Sequence, residues 1–168
     1  MLLFLFLIQG CATVRMESTY DQSLSFESYK SFCWLGGCDF KYQGDLDSIV
    51  VVEIKLAIEA EMTRKGFVQD ENNPDMLMDF HVSLTEEGYE KIIFINDYDF
   101  WPEYESEAYV KGSLIIDIAD GDSAAMIWQS TTHRYMDPDA EVSAKAIKRS
   151  VRKALQDFPP QPGPVPGN

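Results

Sequence analysis

The chain has 168 residues, a length that makes one domain and buries a sizeable core without disulfide or metal staples. Hydrophobic residues make up 45% of it, which sets it among globular rather than disordered chains. Its formal charge of −14 argues against nucleic acid as a partner, because phosphate backbones are held by clustered Lys and Arg.

The apolar run over residues 1–8 is too short for a bilayer span, which takes about 20 residues, and has the length of a signal-peptide core. No Lys or Arg precedes it. Either the start lies upstream, or the terminal amine alone supplies the positive charge, or translation begins at Met16 and the protein is cytosolic. Ile8-Gln9-Gly10-Cys11 resembles the lipobox of bacterial lipoproteins, with an aliphatic residue at −3 and a small one at −1, although Gln9 departs from the usual small residue at −2. In that class the thiol takes a diacylglycerol, the chain is cut before the cysteine, and the new amine is acylated. The resemblance implies that residues 1–10 are signal peptide and that Cys11 is the lipidation site. The alternative is a buried or disulfide-bonded Cys11 in an N-terminal strand. Several acyl chains on one residue anchor stably where one chain holds only marginally. Ala12, rather than Asp, after the cysteine implies the outer membrane, facing the periplasm, in a host that has one.

Residues 13–20 alternate with period two and predict a strand; residues 29–35 predict a second, ended by Gly36-Gly37. Residues 45–67 read as a helix capped by Asp45 or Asp47, with Val51, Ile54, Ile58 and Met62 as its apolar stripe and Gly66 as its terminator. After the turn at Asn72-Asn73-Pro74, residues 76–84 give the clearest strand, and residues 91–95 a short separate one. Residues 110–118 predict a strand that ends at Asp120-Gly121-Asp122, a hairpin turn leading to a strand over residues 126–133 with Trp128 on its apolar side. Asp137-Pro138-Asp139 opens the second helix, with Val142, Ile147, Val151, Ala154, Leu155 and Phe158 as its buried stripe and Lys145, Lys148, Arg149, Arg152 and Lys153 on its solvent side. Residues 159–168 form a Pro-rich tail without regular structure. Strands, helix, strands, helix, joined by hairpin-length links, predict an α+β two-layer sandwich: a mostly antiparallel sheet with both helices on one face. Residues 11–158 make a single domain.

The ordered set Gly10-Cys11, Tyr20-Asp21, Phe26, Tyr29-Lys30-Ser31-Phe32, Trp34, Ala57-Ile58, Lys65-Gly66-Phe67, Pro74-Asp75, residues 112–117 (GSLIID), Ile127-Trp128 and Phe158-Pro159-Pro160 resembles the bacterial lipoprotein domain of unknown function DUF4136. The resemblance implies an envelope lipoprotein with a two-layer α/β fold and no assigned activity, hence no catalytic residues or cofactor to carry over. Cys33 and Cys38 are additions to the family pattern.

Outside the cytoplasm, Cys33 and Cys38 are expected to form a disulfide, with two free thiols as the alternative. His81 and His133 fall on the polar sides of their strands with Asp79, Asp117 and Gln129; on an open sheet face they are either solvated or close enough to offer metal ligands. The most unusual segment is 96–109, where five carboxylates alternate with five aromatics: Tyr98, Phe100, Trp101, Tyr104 and Tyr109. These rings either stack on an envelope protein or glycan partner or cover an edge of the sheet. The basic face of the second helix is either solvated or set against lipid headgroups. No nucleophile motif or phosphate loop is present, so the expectation is a non-enzymatic, lipid-anchored protein that binds another envelope component, with transport of an apolar ligand between helices and sheet as the alternative.

Overall fold

A computed structural model of the chain describes residues 15–35, 48–93, 103–137 and 139–160. Six strands form one sheet in the order β1-β6-β5-β4-β2-β3: β1 Arg15–Tyr20, β2 Ser31–Trp34, β3 Val68–Gln69, β4 Met76–Ile93, β5 Glu103–Asp120 and β6 Met126–Met136. Helices α1 (Ser48–Arg64) and α2 (Ala144–Ala154) cover one face, as the α+β sandwich expectation requires. The pairs β1–β6, β6–β5 and β5–β4 are antiparallel. β2 pairs in parallel with β4, because α1 lies between them in sequence and returns the chain in the same direction.

The alternation read from the sequence sets which side of the sheet is buried. Met78 faces Ile118, Phe80 faces Ile116 and Val82 faces Leu114 across β4 and β5, and Trp128 extends the first of these rows into β6. From above, α1 contributes Val51, Ile54, Ala57, Ile58 and Met62, and α2 contributes Ile147, Val151 and Ala154. Trp34 is fully buried and donates its indole N–H to Glu59 Oε1 of α1 at 2.9 Å, which satisfies the one polar atom it takes into the core. Gly66 sits at φ 96°, and the Phe67 N–H returns to the Met62 carbonyl, so α1 ends in the expected left-handed cap.

Three expectations are corrected. The second helix starts at Ala144, not at Asp137: Ser143 is its N-cap, its hydroxyl accepting from the Ala146 N–H, and Val142 is exposed rather than part of the stripe. Val142 lies five positions before Ile147, about 140° away around a helix, so it is off that face. Residues 91–95 do not start a new strand; β4 runs unbroken from Met76 to Ile93. The strand expected over residues 110–118 is longer at its start, residues 103–109 being part of β5.

Candidate functional site

The sandwich has two unlike ends. At the first, β4 begins, β5 finishes and both helices terminate. Phe158, just past α2, stacks on Phe26, Phe67 and Trp128 with ring centroids 5.2–5.8 Å apart. The Asp75 carboxylate accepts from the backbone N–H groups of Lys30 and Ser31 and from the Ser31 hydroxyl at 2.8–3.0 Å, tying β2 to the start of β4. The Lys30 N–H foremost, with the Ser31 contacts, holds this carboxyl below the usual range against the opposing effect of burial. Tyr29 donates to Asp120 Oδ2 at 3.0 Å, and burial together with that bond pushes the phenol up to about 12. Asp120 itself is held low by the Ser123 hydroxyl and N–H and by Tyr29. Gly121 is required by space: a Cβ there would lie 2.0 Å from the Pro74 carbonyl oxygen. Asp120-Gly121-Asp122 is thus a hairpin turn, as expected from the sequence.

At the other end the layers part. An open cleft of about 120 Å³ lies between the starts of α1 and α2 and the sheet, lined by Ile54, Val82, Leu114, Ile147 and Met136 among others. Its lining is mostly apolar, and Leu84 and Val142 are exposed at its borders. The cation among the lining residues is Arg134. Its Nε is buried without a hydrogen-bond partner, and no carboxylate among the described residues lies within ion-pair distance of it. Arg134 stands opposite Gly112 in β5, where a Cβ would meet Met136 Cε at 2.8 Å; the bare glycine lets Met136 settle on the sheet beside the cleft.

From this same end β4 and β5 leave the sheet as a two-stranded ribbon. The last β6 pair is Val110↔Met136, and seven further register pairs, Glu87↔Tyr109 to Ile93↔Glu103, carry the ribbon on for about 20 Å. Of the five aromatic candidates, Tyr98, Phe100 and Trp101 lie outside the described residues; Tyr104 is placed in β5 by its backbone alone, its side chain not being described. Tyr109 is at the ribbon's base, donating to Glu87 Oε2 at 3.1 Å and packed edge-on against Tyr135. Its ring therefore stiffens the base.

The second sheet face is open, and the structure brings its predicted polar residues together in two groups. His81 Nε2 stands 3.6 Å from Asp79 and 3.7 Å from Asp117, whose other oxygen accepts from Gln129 at 2.6 Å. His133 pairs separately with the Ser113 hydroxyl at 2.9 Å. Among the described residues no set of three or more His, Cys, Asp or Glu is arranged to hold a metal ion. Cys33 is buried in β2, while Cys11 and Cys38 fall outside the described residues. Among the described residues no helix is long and apolar enough to cross a membrane. On α2, Arg152 approaches Glu61 of α1 at 3.8 Å, and Arg64 donates to the same carboxylate from its own helix, holding it below its usual range; that basic residue ties the helices together. Neither the cleft nor the unpaired guanidinium was found from the sequence; the one available signal was a glycine within the 112–117 motif.

Residues 16–160 match the family model described as "Domain of unknown function (DUF4136)". No curated protein matches the chain. A PDZ domain protein from Parabacteroides distasonis is similar in structure, with a TM-score of 0.58 and 16% identity, over 89% of this chain but 36% of its own. The chain thus spans about a third of that protein. A PelC dodecamer from Paraburkholderia phytofirmans is similar at a TM-score of 0.53 and 11% identity, over 85% of this chain and 95% of its subunit. At such identities the likeness is one of fold.

Proposed function

The chain belongs to the DUF4136 family, whose model it matches over residues 16–160, and from that premise we propose that it is a lipid-anchored bacterial envelope protein that binds another envelope component through the β4–β5 ribbon. The observation that carries this reading is the ribbon itself. Seven pairs of strand residues project past the body with no third strand beside them among the described residues, which leaves backbone donors and acceptors free on both edges. A bare two-stranded ribbon is marginal in water, so its length is better accounted for by contact with a partner. In sequence the two ribbon strands are joined by an acidic, aromatic stretch with Tyr98, Phe100 and Trp101, followed by Tyr104, which suits an envelope protein or glycan offering cationic or stacking groups.

Attachment through Cys11 fits this geometry. β1 starts at Arg15, beside His133, towards the end from which the ribbon leaves. Four residues of chain span at most about 14 Å, so an anchor at Cys11 holds that end near the bilayer surface. The address is the outer membrane, periplasmic side, following Ala12. In that oxidising compartment Cys33 and Cys38 form a disulfide that closes the turn after β2. The role is binding without catalysis.

A photo-reactive residue at position 101 in growing cells should give a discrete adduct that is lost when Tyr98, Phe100 and Tyr104 are changed to Ser. An adduct pattern indifferent to those changes overturns the reading. Cys11→Ala should release the protein from the membrane fraction and abolish acyl labelling. The second reading, carriage of an apolar ligand between helices and sheet, is favoured by one observation, the open apolar cleft.

A further inference from the structure

We infer that the cleft between the helix starts and the sheet seats the chain end of a single-chain anionic amphiphile, with Arg134 pairing its headgroup. This rests on the carriage reading and adds the ligand's chemical class. Three observations converge. The walls are apolar side chains of four elements, Ile54, Val82, Leu114 and Ile147, so the space selects hydrocarbon. The volume, about 120 Å³, is close to that of an engineered cavity of about 150 Å³ that stays dry and takes one benzene, so it holds a short stretch of one acyl chain and not a diacyl lipid. Arg134 borders this apolar space with a buried Nε and no partner.

A buried, unpaired guanidinium donor is costly, and the asymmetry is resolved by an acceptor brought in from outside. Carboxylate and phosphate monoester oxygens match the planar fork of Arg and share the needed charge. Glu141 also borders the cleft, but it is exposed and makes no ion pair with Arg134 among the described residues, so it does not occupy the guanidinium. The exposed Leu84 and Val142 carry the apolar surface outward from the cleft, giving the remainder of a longer chain a path out. A cationic amphiphile would leave the Nε–H unsatisfied, and a neutral hydroxyl would accept from it without the added strength of a charge-assisted bond; an inorganic anion would leave the hydrocarbon walls wet.

Titration of the chain from Cys11 onward, followed by amide and Arg Nε–H NMR shifts, with octanoate, octanol, octylammonium and inorganic phosphate tests this. Octanoate should shift resonances of Val82, Ile147 and Arg134 and bind about tenfold or more tighter than octanol, as one charge-assisted hydrogen bond provides. Arg134→Gln should bring octanoate to the octanol level and leave octanol unchanged, with folding checked by thermal melting. Ala146→Phe, which fills the cleft from α2, should abolish both. Equal binding of octanoate and octanol, indifferent to Arg134→Gln, overturns the headgroup assignment and leaves carriage standing. Phosphate binding as tightly as octanoate, or octylammonium binding best, overturns it too. Binding of neither octanoate nor octanol overturns the carriage reading itself.

Discussion

The two ends of this sandwich share their strands and differ in how their polar groups are spent. Where β4 begins, Asp75, Asp120 and Tyr29 are all taken up by internal partners, and Phe158 seals the layers with three rings. Where β6 ends, Arg134 Nε has no hydrogen-bond partner among the described residues, a cleft opens between helices and sheet, and two strands run on alone. Many of the residues that carry the family resemblance, Tyr29, Ser31, Phe67, Pro74, Asp75, Trp128 and Phe158, gather at the sealed end. They specify the fold there, and the cleft and the ribbon lie opposite them.

Phe158→Ala should have the largest effect, a loss of about 3–5 kcal/mol in urea unfolding, since it empties the site where three rings meet. A loss under about 1 kcal/mol would show that this end is not sealed by packing. Gly121→Ala drives a Cβ into the Pro74 carbonyl and should cost about 2 kcal/mol or more, because backbone rather than a flexible side chain must move. Asp75→Ala leaves the Lys30 and Ser31 N–H groups without their acceptor and should cost about 1–3 kcal/mol by the same measurement.

The same contrast has a pH signature. Asp75 and Asp120 have folded pKa values below their unfolded ones, so their contribution is complete above about pH 4 and is lost as pH falls through the folded values. Tyr29 is raised to about 12, so its contribution is present below about pH 10 and disappears between pH 10 and 12. Thermal melts across pH should show both flanks, with Asp75→Asn shrinking the acid one and Tyr29→Phe the alkaline one. The smallest effect belongs to the open end. Arg134→Met removes a donor that nothing satisfies and should leave the ligand-free protein unchanged or more stable by up to about 1 kcal/mol. Destabilisation by more than that would place a structural partner on the guanidinium.

Legibility in the sequence followed the contrast between faces. Met76, Met78 and Phe80 point into a core while Leu77, Asp79 and His81 do not, so β4 is plain as far as Val82. Beyond it, residues 85–91 read TEEGYEK, polar at nearly every position, and period two leaves no trace. Asp137-Pro138-Asp139 has the chemistry of a cap, yet the residue whose hydroxyl accepts the first-turn N–H of α2 is Ser143. The isolation of Arg134 was invisible for a different reason. It depends on which side chains the neighbouring strand β5 and the start of α2 bring beside it, neither of which is local.

The ribbon has one more consequence, a mechanical one. Its two strands are the same uninterrupted β4 and β5 that bear Leu84, Gly112 and Leu114 beside the cleft, paired in one register from Met76↔Asp120 to Ile93↔Glu103. Among the described residues no break in pairing separates arm from body. Arm and cleft border are therefore one continuous pair of strands, and the last β6 pair, Val110↔Met136, marks where the third strand stops supporting them.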